Sequence, residues 1–223
     1  MTKNQLVIVV DYGMGNLNSV ANALQHVAPA GTVVKISGLP ADIDAADRVV
    51  LPGQGAMPDC MKSLRNSGAQ DAVLRAAETK PLLGVCVGEQ MLLGRSDEGK
   101  GQDNDNYDGT AGLGLIAGRV RRFPQQHNDA NGVLKVPHMG WNQVFHAGTH
   151  PVLVGIASGE RFYFVHSYYA EPDDAAHNVA QSDYGFRFCA AIARDNLFAT
   201  QFHPEKSAAA GLMLYKNFLN WQI

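Results

Sequence analysis

Cys86 lies between two glycines in the stretch GVCVG, residues 84–88, where an apolar run meets a helix-like segment. In a G-x-C-x-G turn between a strand and a helix, the central side chain is raised above the strand end, where its sulfur can attack a substrate. The start of a helix also stabilises the negative charge of a thiolate. The same five residues fit a buried structural cysteine beside a glycine turn, and alone they do not decide between the two.

A base for this nucleophile is offered by the stretch FATQFHPE, residues 198–205. His203 is predicted to end an apolar strand, with Glu205 two residues later on the same side of the extended chain. A carboxylate beside an imidazole fixes its tautomer and stabilises its protonated form. In isolation HPE also fits a surface turn, but together with GVCVG it predicts a Cys-His-Glu site.

Acyl chemistry at a cysteine also requires hydrogen-bond donors for the oxyanion that forms on the substrate. The stretch LPGQG, residues 51–55, closes another apolar strand with glycines on either side of Gln54. Its backbone N–H groups, and the N–H of Val87 directly after the cysteine, are the expected donors. The same five residues also fit an ordinary turn without a catalytic role.

The elements that must position these residues follow an alternation of apolar strands and helices, which predicts an α/β fold. We expect a three-layer, mostly parallel sheet flanked by helices, with antiparallel strands added in the C-terminal half. Asp195–Asn196, between two apolar runs, predicts a tight hairpin. The chain is interpreted as one domain, residues 1–223. The predicted strands are 5–10, 32–36, 47–52, 81–86, 117–123, 161–169 and 186–193, with helices at 17–27, 57–78 (broken at 66–68) and 207–223.

Composition excludes several classes of function. The 223 residues are 46% hydrophobic and carry a formal net charge of −3, which gives no electrostatic basis for binding nucleic acid or an anionic membrane. No apolar run approaches the roughly 20 residues that a membrane helix needs. Three cysteines far apart fit neither a disulfide framework nor a zinc site, so we expect a cytoplasmic protein without a metal. A dinucleotide fingerprint at residues 13–15 lacks its third glycine, and no cofactor is expected.

LPGQG, GVCVGEQ and HPE, in this order over nearly the whole chain, resemble the triad-type glutamine amidotransferases. The resemblance implies that Cys86 is the nucleophile, His203 the acid and base, and Glu205 the residue that orients His203. It also implies that the substrate is glutamine, hydrolysed through a cysteine thioester. The residues implied to bind this substrate are Gly53, Gln54, Gly55, Val87, Gln90, Ser167 and Tyr168.

Further stretches are similar to amidotransferases that form a separate polypeptide and pass ammonia to a (β/α)8-barrel cyclase. These stretches are DYGMGN (11–16), VPHMGWN (136–142), FYFVHSYY (162–169) and HPEKS (203–207). The resemblance implies a heterodimer with that cyclase. The residues implied to face the partner are Asn16, His138, Met139, Gly140, Trp141, Asn142 and Lys206.

Two residues depart from the family pattern. Glu89 occupies an apolar position of the elbow, and we expect its side chain to face solvent or a basic group of the partner. Gln54 replaces a small apolar residue, which leaves the chemistry intact because the donors there are backbone groups. Three alternatives stay open: an amidotransferase for another ammonia-using synthase, a stand-alone cysteine hydrolase of related fold, and an inactive interaction module.

Overall fold

The computed structural model describes residues 5–100, 108–125, 128–129 and 132–223. Within these ranges the helices are α1 (Leu17–Val27), α2 (Pro40–Ala45), α3 (Met57–Asn66), α4 (Gln70–Thr79), α5 (Val87–Leu92) and α6 (Ala208–Asn220). The strands are β1 (Leu6–Val10), β2 (Val33–Ser37), β3 (Arg48–Gly53), β4 (Leu82–Cys86), β5 (Leu93–Ser96), β6 (Thr110–Ala111), β7 (Ile116–Arg122), β8 (Asn128–Asp129), β9 (Gly132–Val133), β10 (His138–His146), β11 (Glu160–His166), β12 (Tyr168–Pro172), β13 (Asn178–Asp183), β14 (Arg187–Arg194) and β15 (Leu197–Thr200).

The main sheet has a parallel half and an antiparallel half, which confirms the expected α/β architecture. Strands β2, β1, β3, β4 and β15 lie side by side and run parallel. Strands β14, β12 and β7 continue the sheet in antiparallel pairs, and β5 returns parallel to β7. Strands β3 and β4 are buried along their whole length, as expected where helices cover both faces of a sheet.

Most predicted elements are confirmed, including α1, the helix break before residue 70 and the hairpin at Asp195. The predicted strand 161–169 is wrong in one respect, because it is two strands that separate at Ser167. Strand β11 pairs with β10 whereas β12 pairs with β7, so the chain changes neighbours at that residue. Helix α2 and the longer strands β10 and β13 were not predicted.

The predicted extension of the last strand to His203 is also wrong. Strand β15 ends at Thr200, whose hydroxyl donates a hydrogen bond to the carbonyl of Phe202 (3.0 Å) and bends the chain. A short 3-10 turn at Pro204–Lys206 follows. His203 therefore lies in a bend after the strand, and the turn brings Glu205 to it.

The topology brings the carboxyl ends of β3, β4 and β15 to one edge of the sheet, where open α/β sheets bind ligands. Gly53 lies opposite Cys86, and Val85 opposite Thr200, in the strand register. Three segments far apart in the sequence thus meet at one place. Among the described residues, no helix is both long and apolar enough to cross a membrane.

Candidate active site

The Cys86 turn is built by close packing of glycines around a strained residue. Cys86 has φ 57° and ψ −112°, a conformation that non-glycine residues rarely adopt and that recurs at functional sites. A Cβ on Gly88 would overlap the carbonyl of Leu51, and one on Gly84 would lie 2.9 Å from the Cβ of Ala199. The glycines let α5 approach β3 and β15 closely, while Cys86 itself takes the strained backbone angles.

His203 lies between Glu205 and Cys86. Its Nδ1 is 2.9 Å from Oε1 of Glu205, and Oε2 of the same carboxylate accepts a hydrogen bond from the Tyr215 hydroxyl (3.3 Å). Because a carboxylate only accepts, Nδ1 carries the proton and Nε2 is left for the reaction. Among the described residues, the buried Nε2 has no hydrogen-bond partner of ordinary geometry.

The charges around His203 favour its protonated form. Burial alone would lower the pKa of this imidazole, but the negative sulfur of Cys86 and then the carboxylate of Glu205 outweigh it and raise the pKa to about 10. An imidazolium beside a thiolate is the pairing that activates a cysteine nucleophile. The site can therefore attack a carbonyl carbon and then deliver a proton to the leaving group.

Cys86 and His203 open into a cavity of about 420 Å³ at the edge of the sheet. A cavity of this size holds a small substrate. Glu98, which was not predicted, brings a carboxylate to this cavity, and its Oε2 accepts a hydrogen bond from the N–H of Met57 (2.7 Å). The other lining residues are Gln54, Gly55, Val87, Gln90, Pro137, Tyr163, Val165, His166, Ser167, Tyr168 and Lys206.

The expected oxyanion segment is anchored through its carbonyl groups. The Tyr12 hydroxyl donates to the carbonyl of Pro52 (2.7 Å), and the thiol of Cys60 donates to the carbonyl of Gln54 (3.3 Å). Gly53 is buried, and a Cβ on it would lie 2.6 Å from the N of Gly88, so only glycine fits there. The chain at 53–55 is thereby held over the start of α5.

The predicted substrate residues lie at or beside the cavity, joined by a network that the sequence did not predict. Nε2 of Gln90 donates to the carbonyl of Tyr168 (3.2 Å) and to Oε1 of Gln201 (2.9 Å). Gln201 is fully buried, and its own Nε2 lies 3.9 Å from the Cys86 sulfur. It lies two residues before His203. The neighbouring residues do not predict its place in the site, because its contacts are with Gln90 and Cys86, which lie 111 and 115 residues away in the sequence.

The expectation that Glu89 faces solvent or a partner is wrong. Its side chain is fully buried next to Cys86 and Cys189, and among the described residues neither carboxylate oxygen makes a hydrogen bond of ordinary geometry. Burial, and secondarily the charge of Cys86, raise the pKa of Glu89 well above its ordinary value, with a small opposing effect from the N–H of Ile192. The surroundings of Glu89 therefore favour its protonated, neutral form, which is how a buried carboxyl group avoids the cost of ionisation.

The residues expected to face a partner are divided by the structure. Met139 and Trp141 are exposed (62% and 50%), and the Nζ of Lys206, also exposed, lies 5.7 Å from the ring centroid of Tyr163. His138 differs from the expectation, because its side chain is only 3% exposed. In a strand, alternate side chains face opposite sides, which turns His138 inward while Met139 and Trp141 face outward. Asn16, Gly140 and Asn142 are partly buried.

Within the described ranges, no group of three or more His, Cys, Asp or Glu side chains is arranged to hold a metal ion.

Comparison with known proteins finds relatives over nearly the full length of the chain. The family model "Glutamine amidotransferase class-I" matches residues 8–221. The chain is 53% identical over 217 residues to "Imidazole glycerol phosphate synthase subunit HisH" of Aromatoleum aromaticum (96% of this chain and 98% of that protein). It is 54% identical over 220 residues to the protein of the same name of Dechloromonas aromatica (98% and 97%).

Solved structures share the fold at lower sequence identity. The structure of PurLQS from Thermotoga maritima matches with a TM-score of 0.70 at 18% identity, over 98% of this chain and 99% of that chain. A crystal structure of a glutamine amidotransferase matches with a TM-score of 0.68, also at 18% identity, over 96% of this chain and 97% of that chain.

Proposed function

The chain belongs to the class-I glutamine amidotransferase family, and from this premise we propose that it is the glutaminase subunit of imidazole glycerol phosphate synthase in histidine biosynthesis. It is an enzyme that releases ammonia from glutamine. The observation that carries the proposal is the identity of 53–54% over almost the full length to two subunits of that name. The Cys86, His203 and Glu205 geometry supplies the chemistry that the activity needs.

The first half of the reaction forms a thioester. The Cys86 thiolate attacks the side-chain amide carbon of glutamine, and the N–H groups of Val87 and the 53–55 segment hold the resulting oxyanion. His203 gives its Nε2 proton to the departing nitrogen, which leaves as ammonia, while Glu205 keeps the ring in the productive tautomer. The carbon–nitrogen bond breaks as a γ-glutamyl thioester remains on the sulfur.

The second half hydrolyses this thioester. His203, now neutral at Nε2, takes a proton from a water molecule that attacks the thioester carbon. The carbon–sulfur bond breaks, glutamate leaves, and the proton on His203 again pairs with the Cys86 thiolate. One glutamine and one water thus give one glutamate and one ammonia.

The cavity also supplies a group for the charged amino-acid end of glutamine. The carboxylate of Glu98 lines the cavity and is proposed to bind the α-ammonium, while backbone N–H groups at Ser167 and Tyr168 hold the α-carboxylate. The nitrogen of Gln90 already donates to two protein oxygens, so its side-chain oxygen is proposed to accept from the α-ammonium as well. A partly buried carboxylate in a cavity favours a cation beside it.

Replacing Glu98 with glutamine is expected to raise the KM for glutamine about 10- to 100-fold with little change in kcat. A hydrogen bond to a charged group is worth about 1.5–3 kcal/mol, and this one acts equally before and during the reaction. Steady-state kinetics with glutaramic acid, which lacks the α-amino group, is the control. A KM for glutamine that E98Q leaves unchanged would contradict this role.

The partner is proposed to be a (β/α)8-barrel cyclase that binds over the exposed Met139 and Trp141 and the side chain of Lys206. Ammonia released into neutral water becomes ammonium and loses its nucleophilicity, so the reaction requires a sealed path to the cyclase. We further propose that residues 1–223 form one amidotransferase domain, that the complex is a heterodimer, and that it acts as a lyase in the cytoplasm.

The test of this function is to mix the chain with the cyclase subunit of imidazole glycerol phosphate synthase and glutamine labelled with 15N in the amide. Label is expected in the imidazole product. Glutamine hydrolysis is expected to rise on the order of 10²-fold, because one hydrogen-bond donor to the oxyanion, brought into place by the partner, contributes a rate factor of that size. Equal hydrolysis with and without the cyclase, and no label in the product, would reject the proposal.

A further inference from the structure

Two buried histidines lie side by side, one at the start of strand β10 and the other at the end of β11, where it lines the cavity. His138 and His166 stand opposite each other in the β10–β11 register, and Nδ1 of His138 is 2.8 Å from Nε2 of His166. They are 3% and 5% exposed. Rings surround the pair, from Phe123, Phe164, Tyr184 and Phe188.

The hydrogen-bond partners fix where the protons of both rings lie. Nδ1 of His166 is 2.8 Å from the carbonyl oxygen of Tyr168, which only accepts, so this nitrogen carries a proton. Burial, and then the neighbouring His138, lower the pKa of His166 to about 3, so the ring is neutral near pH 7. Its Nε2 is therefore an acceptor, and His138 must donate to it from Nδ1.

The outer end of the pair is held by Asn142. The side-chain nitrogen of Asn142 donates to the carbonyl of Asp183 (2.7 Å), and its oxygen accepts from the N–H of Gln143 (2.8 Å). These two contacts settle the orientation of the amide. The same nitrogen lies 3.2 Å from Nε2 of His138 and donates to it.

The inner end reaches the nucleophile. The carbonyl of Tyr168 accepts from His166 and also from Gln90, and Gln90 donates in turn to Oε1 of Gln201. Since its oxygen is occupied by Gln90, Gln201 turns its Nε2 toward the Cys86 sulfur, 3.9 Å away. A donor aimed at sulfur favours the thiolate over the thiol.

We propose that Gln201 stabilises the Cys86 thiolate directly, and that His166, oriented by His138, is a positioning residue that holds Gln201 in place through Tyr168 and Gln90. The inference rests on the proposed function only in taking Cys86 as the nucleophile. It gives a role to Gln201, His166 and His138, three buried polar side chains that take no part in the thioester mechanism.

The test is the pH dependence of Cys86 alkylation by iodoacetamide, followed by mass spectrometry of the peptide that contains Cys86. Gln201→Met keeps the side-chain length and removes the donor, and it is expected to move the midpoint of the profile upward by about one pH unit. His166→Phe fits the surrounding rings but loses both hydrogen bonds, and a smaller shift in the same direction is expected. His166→Asn keeps a donor near the position of Nδ1 and is expected to restore most of the wild-type midpoint.

A matched control is His150→Phe. His150 is also packed against aromatic rings (Phe198 and Trp221), and burial lowers its pKa to about 4, but its Nδ1 accepts from the N–H of Val152, away from the cavity. It is expected to affect the melting temperature without moving the alkylation midpoint.

An unchanged midpoint in Gln201→Met would overturn the direct role of Gln201. A lower melting temperature with an unchanged midpoint in His166→Phe would show that the histidine pair only supports packing. Failure of the proposed function is distinguishable, because glutamine would then not protect Cys86 of the wild-type chain from alkylation.

Discussion

Replacing Cys86 with alanine is expected to lower glutamine hydrolysis by at least about 10⁴-fold, the usual consequence of removing a nucleophile from a catalytic triad. No other described side chain in the cavity is a thiol, and the oxyanion donors have nothing to stabilise without the attacking sulfur. The complex with the cyclase is expected to keep its synthesis from added ammonium salts, because that reaction does not pass through the sulfur. Glutaminase and synthase assays on the same preparation measure both effects.

The same variant has a second expected effect, on the neighbouring base. The Cys86 thiolate is the largest charge that raises the pKa of His203, so the alanine variant is expected to bring that pKa down from about 10, measured by NMR titration of the imidazole protons. Cys189→Ala is the control, since Cys189 is a buried cysteine outside the cavity lining. Glutamine turnover that survives in the Cys86 variant would remove the basis for the mechanism.

Replacing Glu89 with glutamine is expected to stabilise the protein increasingly as the pH rises. In the unfolded chain Glu89 releases its proton near its ordinary pKa of 4.5, whereas in the folded protein it keeps the proton to a much higher pH. Between these two pH values the folded state binds one more proton, so this group makes stability fall by about 1.4 kcal/mol per pH unit. A glutamine side chain at position 89 has no proton to release, so the variant lacks this fall in stability with pH.

The measurement is urea unfolding of both proteins at a series of pH values between 5 and 8. The difference in the free energy of unfolding between Glu89→Gln and wild type is expected to grow as the pH rises from 5. The exposed Glu78 of α4 provides the control, because Glu78→Gln changes the same charge where solvent reaches it. A difference that stays constant with pH would mean that Glu89 ionises in the folded protein as it does in the unfolded chain.

Local sequence was sufficient for the elements that carry the chemistry. The glycines around Cys86 are the small residues that let the turn pack against β3 and β15. The five residues GVCVG are therefore enough to predict this turn. The apolar runs predicted the parallel strands because a strand buried on both faces has no polar positions. The break between α3 and α4 and the hairpin at Asp195 likewise follow from residues next to them in the chain.

Partners far apart in the sequence decided the rest. Glu89 is polar and was expected outside, but strand β14, about 100 residues later, lies against it, and its burial raises the pKa of the carboxyl group. Strand β15 ends before His203, because the hydroxyl of Thr200 bends the chain there.

The sequence by itself therefore determined the family and predicted the nucleophile and its base, since these depend on short patterns with fixed backbone requirements. Only the tertiary structure decided which polar residues surround them: Glu98 in the cavity, the His138–His166 pair, and Gln201 beside the sulfur. The physical reason is that a polar side chain can be buried only where a distant segment supplies its hydrogen-bond partner or suppresses its charge. No window of neighbouring residues contains that information.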